Sequence, residues 1–312
     1  MTFNDYLLEL FYLVDSELAA LNLTHLRTRG PVPKLHDSEV ITMELAGEFL
    51  RLDTDKGIWQ HFRQYHLAEF PKLAQVDRTR FVRQSADLWR VTQLLHDHLA
   101  ERLPQVDPVE GRLLWLFDSF PLRVCKYKRA PAHKLFKGIA SIGRDPTAGV
   151  TLRNGPEGLM YGFHVHVRCC QSGPCLQFSF APAHVSDWPM VSELLPASMP
   201  DEGADALGDN NYWKPDGHLI LLHRGLNLMA PFKQKSTDPK PLLTKLISRL
   251  RQVIEPVIGQ LATRFNCQRT WARDLWHLTH RLTRKFLSHL TAVLINTKSG
   301  HPPLQLEKLV DC

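Results

Sequence analysis

Apolar residues follow two different spacings along the chain, and the change falls near residue 110. Before it, they recur every three or four residues, which is typical of amphipathic helices. The positions are Val40, Ile41, Leu45, Phe49 and Leu50, then Phe81, Leu88, Val91, Leu94 and Leu95. Asp37 or Ser38 is placed to cap the first helix, and Pro104 and Pro108 end the second. We therefore predict a helical N-terminal module over residues 1–105.

Short strands are predicted after Gly111. The run Leu113–Phe117 is unbroken and apolar and ends at Asp118, which indicates a strand buried on both faces. Residues 161–167 alternate between apolar and polar, which indicates a half-buried strand. Further strands are predicted at 176–180 and at 219–222, and another short element is predicted to end at residues 207–209. Helices are predicted at 186–195, 241–254 and 271–294.

Composition places the chain among globular proteins. Its 312 residues are 44% hydrophobic and 22% charged, with a mean hydropathy of −0.22, and suffice for one large domain or two ordinary ones. Asp5 and Glu9 interrupt any signal-peptide pattern, and no stretch approaches the ~20 apolar residues of a membrane span. Six cysteines without a C-x-x-C pair favour a reducing cytoplasm.

Positive charge suggests an acidic partner. The net charge is +6, and residues 214–300 hold fifteen Lys or Arg against four Asp or Glu. Cations also follow Asp118 closely, at Arg123, Lys126, Lys128, Arg129, Lys134 and Lys137. A carboxylate at a strand end beside such cations suits an enzyme that holds a divalent metal and grips a polyanion, which points toward phosphodiester chemistry on nucleic acid. The candidate DNA-phosphate contacts are Arg123, Lys126, Lys128, Arg129, Arg249 and Arg251; the alternative is a solvated loop.

Three acidic residues stand out by context: Asp118 after a strand, Asp209 after a second element, and Glu255 in a late helix. Two-metal phosphoryl transfer needs a compact set of carboxylates. The sequence separations, 91 residues and then 46, do not by themselves show that the three converge. Asp118 and Asp209 also suit turns or caps, and Glu255 also suits an ordinary helix-surface pair with Arg251.

The sequence segments around these acidic residues resemble those of a known protein family. The stretches are DSEVITMELAGEFL, FDSFPLRVCKYKRA, YGFHVHV, LGDNNYW, RLRQVIEPVIGQL and RTWARDLWHLTHRLTRKFLSHLTAVLIN. Taken in order over most of residues 35–297, they resemble the DDE transposases of bacterial insertion sequences. The resemblance implies a ribonuclease-H-like α/β fold, with a mixed sheet flanked by helices and preceded by the small helical module. It also implies Asp118, Asp209 and Glu255 as catalytic ligands of Mg²⁺ or Mn²⁺.

The late part of the family pattern is only partly kept. Arg251 and Glu255 retain its Arg-x-x-x-Glu, but Ser248 and Ala262 stand where the family often has Tyr and Lys. Pro256 directly follows the glutamate, so either the helix is kinked at Glu255 or a new helix begins with Pro256 at its first position.

Other chemistry-bearing residues receive weaker interpretations. Trp213 stacks on an unpaired base or simply packs. His164 and His166 share a strand face near Cys169, Cys170 and Cys175, yet their spacing disfavours zinc, and His166 is expected near the floor of the active site. The set Trp271, Trp276, Leu278 and Leu282 is predicted to be helix core.

The expected protein is a transposase that cuts double-stranded DNA at the terminal inverted repeats of its element and joins the ends to target DNA. The predicted division is a module at 1–105 that contributes to DNA-end binding, a catalytic domain at 106–300 and a tail at 301–312. A homodimer or larger assembly on DNA, in the cytoplasm and without membrane contact, is expected. The alternatives are a catalytically inactive DNA-binding derivative and a ribonuclease-H-like nuclease without strand transfer.

Overall fold

The structure, a computed structural model, describes residues 1–23, 32–102, 113–145, 147, 155, 158–171, 173–231, 249 and 251–310. Its contacts divide the chain into two compact units. One comprises residues 1–102 and 261–312, here the helical unit, and the other residues 103–260, here the sheet unit. Residues 261–300, predicted to belong to the catalytic domain, thus fall in the helical unit. The assignment of domains and of DNA-end binding to residues 1–105 stays a prediction.

The helical unit is built from both ends of the chain. Its helices are α1 (Phe3–Leu21), α2 (Asp37–Phe49), α3 (Asp55–Tyr65), α4 (Arg78–Asp87), α5 (Trp89–Arg102) and α9 (Leu275–Lys298). Side-chain caps begin most of them. Thr2 and Asp5 form a capping box on α1, and Thr54, Asp77 and Asp274 accept backbone N–H groups at the starts of α3, α4 and α9. No helix in the described part of the chain is long and apolar enough to cross a membrane.

The sheet unit contains one mixed sheet. Its strands are β1 (Leu113–Lys126), β2 (Ser141–Arg144), β3 (Leu159–Cys170), β4 (Cys175–Pro182), β5 (Ala204–Leu207) and β6 (Leu226–Met229). The order is β2-β3-β1-β5-β6, and β4 also pairs with β3. β1, β3 and β4 are antiparallel neighbours, whereas β5 and β6 run parallel to β1. The helices among the described residues of this unit are α6 (Asp187–Leu194), α7 (Pro215–His223) and α8 (Ile254–Gly259).

This architecture confirms the predicted fold class, a ribonuclease-H-like mixed α/β sheet with flanking helices and a helical N-terminal module. The predicted strands at 113–118, 161–167 and 176–180 and the short element before Asp209 are present as β1, β3, β4 and β5. The predicted helix at 186–195 is α6, with Ser186 at its N-cap position.

Several local predictions were wrong. Residues 219–222 lie in helix α7 and not in a strand, because Pro215 sits at the start of a helix whose last turns they form. β3 is buried on both faces and not one, since only Leu159 and His164 are partly exposed. The predicted helix at 271–294 begins at Leu275. Most of the predicted helix 241–254 lies outside the described residues.

The prediction of helix core for the two tryptophans was also wrong. Leu278 and Leu282 are fully buried, but Trp271 is 66% exposed and Trp276 is 48% exposed. Trp271 precedes the first residue of α9, and Trp276 lies in its first turn. The spacing of apolar residues therefore grouped these exposed side chains with the buried ones further along the helix.

Candidate active site

The strand register places Asp118 and Asp209 side by side. β1 and β5 pair in parallel from Leu113 with Ala204 to Leu116 with Leu207, a constant offset of 91 residues. Asp118 and Asp209 each stand two residues beyond the last pair, at the same offset and on the same face. Because neighbouring strands lie about 5 Å apart, the two carboxylates lie close together just beyond the point where β1 and β5 stop pairing. The 91 residues that separate Asp118 from Asp209 in the sequence are therefore the same as the offset between paired residues of β1 and β5.

Local hydrogen bonds fix each aspartate. Asp209 ends its strand as the N-cap of a single 3₁₀ turn, where the backbone N–H of Asn211 donates to its Oδ1 at 2.9 Å. The side-chain amide of Asn211 donates to its Oδ2 at 3.0 Å. The backbone N–H of Ser119 donates to Oδ1 of Asp118 at 2.8 Å. Both carboxylates are thus held before any ligand arrives.

The carboxyl group of Asp118 has a pKa well above that of an ordinary aspartate. The pKa of Asp118 is raised to about 6, chiefly by burial and also by the charges of Asp209 and Asp187, against the lowering influence of Arg251 and of the Ser119 N–H. A group of carboxylates that repel one another in a partly buried place is stabilised by any cation that binds among them.

Arg251 is the cation that meets Asp118. Its Nη2 donates to Oδ2 of Asp118 at 3.0 Å, and both side chains are 20% exposed. The sequence interpretation had Arg251 as a DNA contact, but here its guanidinium neutralises a predicted metal ligand. Arg249 is exposed.

Glu255 does not join the two aspartates. It is exposed in the first turn of α8 and makes no hydrogen bond or ion pair with them among the residues that the structure describes. α8 begins at Ile254, so Pro256 is its third residue, two residues later in the helix than the predicted alternative of a new helix starting at Pro256.

The donor set fits a divalent metal in chemistry but is incomplete in geometry. Paired carboxylate oxygens are the ligands that Mg²⁺ prefers. Within the described ranges, however, no group of three or more His, Cys, Asp or Glu side chains is assembled for a metal ion. Of the three predicted ligands, the structure brings Asp118 and Asp209 together and leaves Glu255 exposed on α8.

A third aspartate was missed by the sequence reasoning. Asp187, the first residue of α6, is buried, and its Oδ1 lies 3.4 Å from Oγ of Ser119 and 3.6 Å from Nδ1 of His166. His166 lies opposite Ser119 in the β1–β3 pair and is fully buried, and burial lowers its pKa to about 3. The sequence does signal Asp187 as a helix start after Ser186, but nothing in it signals that α6 packs beside Asp118.

Tyr212 lies among the same charges. It is fully buried against Phe117, with ring centroids 6.2 Å apart. Burial and then the charges of Asp187, Asp118 and Asp209 raise the pKa of its hydroxyl well above the ordinary value. That hydroxyl has no hydrogen-bond partner among the described groups, so one buried polar atom beside the aspartates has an unused capacity for hydrogen bonding.

The predicted DNA contacts after Asp118 fall into two kinds. Arg123 is engaged inside the unit, where its Nη2 donates to Oδ1 of Asp145 at 2.9 Å and its Nε pairs with the same carboxylate. Lys126, Lys128 and Arg129 are exposed at the far end of β1 and the 3₁₀ turn that follows. Lys126 is eight residues from Asp118 along the strand, or about 26 Å at about 3.3 Å per residue.

Trp213 packs against a histidine. Its ring meets that of His218 edge-on, with centroids 4.4 Å apart, and it is half-buried. Packing therefore accounts for its position, as one of the two sequence interpretations expected.

A mixed sheet flanked by helices, with Asp118 and Asp209 on neighbouring strands, is the architecture that the sequence resemblance to DDE transposases predicted. The family model described as transposase DDE domain matches residues 111–275, slightly more than half of the chain. The chain belongs to this family of DDE transposases.

Two further comparisons add little. No curated protein matches the chain. Among solved structures, the cryo-EM structure of the piggyBac transposase synaptic complex with hairpin DNA is similar at 11% identity and a TM-score of 0.43, covering 96% of this chain and 76% of that one. A likeness at that level carries no argument about this chain.

Proposed function

We propose that the protein is a DNA transposase that cleaves DNA at the ends of an insertion sequence and transfers those ends into target DNA. The observation that carries the proposal is the parallel register of β1 and β5, at whose end Asp118 and Asp209 lie on neighbouring strands. Membership of the transposase DDE family supports it.

In this proposal Asp118, Asp209 and Glu255 hold Mg²⁺ or Mn²⁺. When bound, such a metal supplies Lewis-acid activation of water or a 3′-hydroxyl and offsets charge at the phosphate. The chain's own residues prepare the place for it: the Asn211 and Ser119 N–H groups orient the carboxylates. Arg251 balances the charge of Asp118 until another cation does so, which frees its guanidinium for a DNA phosphate.

Exposed cations supply the DNA contacts. Lys126, Lys128, Arg129 and Arg249 face solvent and suit phosphate binding, whereas Arg123 serves mainly to hold Asp145. Because two element ends have to be joined, the active species is a homodimer or larger assembly on DNA.

A second candidate is a catalytically inactive, transposase-derived DNA-binding protein. It is favoured by the exposed position of Glu255 and by the guanidinium of Arg251 on Asp118. A nuclease without strand transfer shares the same site and differs only in its products.

The test uses labelled DNA that carries the terminal repeats, with Mg²⁺ or Mn²⁺. We expect nicked and joined products from the wild type and at least a hundredfold loss for Asp118→Ala and Asp209→Ala, since each removes a ligand of the metal. Asp201→Ala, an exposed acid in the same unit, is the matched control and should retain activity.

Each other outcome selects an alternative. Cleavage without joining indicates the nuclease, and DNA binding without cleavage indicates the inactive derivative. Glu255→Ala completes the set: full activity in this variant would remove Glu255 from the proposed ligands while leaving the two aspartates in place.

A further inference from the structure

The start of α9 presents an apolar, aromatic surface to solvent. Trp271 is 66% exposed, Trp276 is 48% exposed, and Leu275 between them is 38% exposed. Trp276 meets the ring of Trp89 on α5 edge-on, with centroids 5.3 Å apart. Large exposed aromatics in a cluster mark binding surfaces more often than scattered single ones do.

The segment that carries Trp271 is anchored on both sides. The backbone carbonyl of Thr270 accepts from Nη1 of Arg281 at 2.8 Å, and Arg281 in turn pairs with Asp55 at 2.9 Å. Thr270 and Ala272, on either side of Trp271, are both buried. The indole therefore projects from a fixed backbone and not from a loose loop.

Trp271 also has an unusual backbone conformation. Its φ of +54° lies in the left-handed region, which bulky residues rarely adopt because it is strained. The anchors at Thr270 and Ala272 sustain that conformation. Its effect is to turn a large apolar side chain outward between two buried neighbours.

Unbalanced positive charge flanks the indole. Arg269 and Arg273 stand two residues to either side and are exposed, and neither guanidinium pairs with an acidic residue in the part of the chain that the structure describes. The one acidic residue in this segment, Asp274, is already engaged: it accepts the backbone N–H of His277 at 2.9 Å and pairs with the same imidazole.

We propose that Trp271 and Trp276, with Arg269 and Arg273, form a platform on which unpaired DNA bases stack. We call these four residues the stacking platform. Aromatic faces accept any base, and flanking guanidinium groups meet the phosphates of the same strand. Charge complementarity favours a nucleic acid over a second copy of the chain, which would bring the same uncompensated cations to the interface. Only the source of the strand, a cleaved element end, rests on the proposed function.

The test measures binding of a fluorescein-labelled oligo(dT) to the full chain by anisotropy, in EDTA so that no cleavage occurs. We expect Trp271→Ala and Trp276→Ala each to weaken binding about tenfold, the loss of one stacked base. Trp271→Phe, which keeps an aromatic face, should restore most of the affinity. Arg269→Gln with Arg273→Gln should reduce the salt dependence of binding.

Tyr12→Ala is the matched control. Tyr12 is 62% exposed on α1 of the same unit, but the groove it lines has no excess of positive charge, because Lys298 and Arg102 there pair with Glu9 and Glu17. This variant should bind oligo(dT) as the wild type does. Unchanged thermal unfolding of the Trp271 and Trp276 variants would show that the loss is not a folding defect.

Two results would overturn the stacking platform. One is wild-type affinity for oligo(dT) in both Ala variants. The other is a change of oligomeric state in sedimentation without a change in DNA affinity, which would make the surface an interface between copies. The two proposals can fail separately. If the protein cleaves element ends but binds oligo(dT) equally well without the tryptophans, only the stacking platform is refuted. If oligo(dT) binding depends on the tryptophans but element ends are not cleaved, only the proposed transposition activity is refuted.

Discussion

At the scale of single residues, Asp118 differs from an ordinary aspartate in how readily it takes up a proton. Burial and the neighbouring acids Asp209 and Asp187 raise its pKa to about 6, even with the Arg251 guanidinium on its Oδ2. A carboxyl group in this condition binds metal in competition with protons. If Asp118 holds a metal as proposed, the pH at which that metal binds is set by the surrounding residues and not by the aspartate alone.

We expect the affinity of the protein for Mn²⁺ to fall about tenfold for each pH unit below about 6, because only the deprotonated Asp118 is a ligand. Isothermal titration in buffers of different ionisation enthalpy should detect about half a proton released per metal at pH 6, rising toward one proton at lower pH. Proton release centred near the ordinary aspartate pKa instead would show that the environment of Asp118 has been misjudged.

The same pKa has a consequence for stability. The folded pKa of about 6 exceeds the ordinary value of 3.8, so this contribution to stability is present at low pH and is lost as pH rises through about 6. Asp118→Asn should therefore raise the unfolding temperature of the metal-free protein at pH 7, and the gain should shrink toward pH 5.

At the scale of elements, local pattern was enough for several strands and for the ends of many helices. The apolar run before Asp118 predicted the first part of β1, but not its continuation to Lys126 through Pro121. Beyond Leu116 β1 pairs only with β3, and a proline is tolerated in a strand that lacks one neighbour. Pairing partners distant in sequence decide such cases.

The same limit applies to the site. Sequence motifs pointed to Asp118 and Asp209 as candidate site residues. That the two lie next to each other depends on a parallel strand register, which a spacing of 91 residues does not reveal. Asp187 was missed because its proximity to Ser119 arises from the packing of α6. The sequence pattern also placed Glu255 in a helix without showing which way that helix presents it.

Helix α8 gives a test of how Pro256 is accommodated. The N–H groups in the first turn of a helix have no partner within the helix, so a proline there removes no intrahelical hydrogen bond. We expect Pro256→Ala to change the free energy of unfolding by less than about 1 kcal/mol. Gln260→Pro should cost about 3 kcal/mol, because the Gln260 N–H bonds to the carbonyl of Pro256. Urea unfolding of both variants measures this; a large gain from Pro256→Ala would mean that the proline strains the helix.

At the scale of the whole chain, its two ends are joined through a buried cluster of charges in the helical unit. Arg284 of α9 is fully buried and pairs with Glu48 at 2.5 Å, with Glu44 at 3.2 Å and with Asp55. Lys285 pairs with the second oxygen of Glu48 at 2.5 Å. Burial alone would raise the pKa of Asp55, but the charges of Arg284 and Arg281 hold it well below its usual range.

Removing Arg284 should therefore destabilise the helical unit strongly. Arg284→Met leaves Glu44, Glu48 and Asp55 with fewer cations in a place without water, and breaking a buried pair in this way costs about 3–5 kcal/mol. The measurement is urea unfolding at pH 7, followed by circular dichroism.

Lys298→Met provides the matched control, because Lys298 also links α9 to an N-terminal helix, by an ion pair with Glu9 at 2.6 Å. That pair is exposed, with 74% and 43% of the two side chains accessible, so its loss should cost less than about 1 kcal/mol. Similar losses in the two variants would mean that the buried cluster contributes no more than a surface pair. A loss confined to Arg284→Met would show that a position 240 residues from Glu44 holds the first helices of the chain in place.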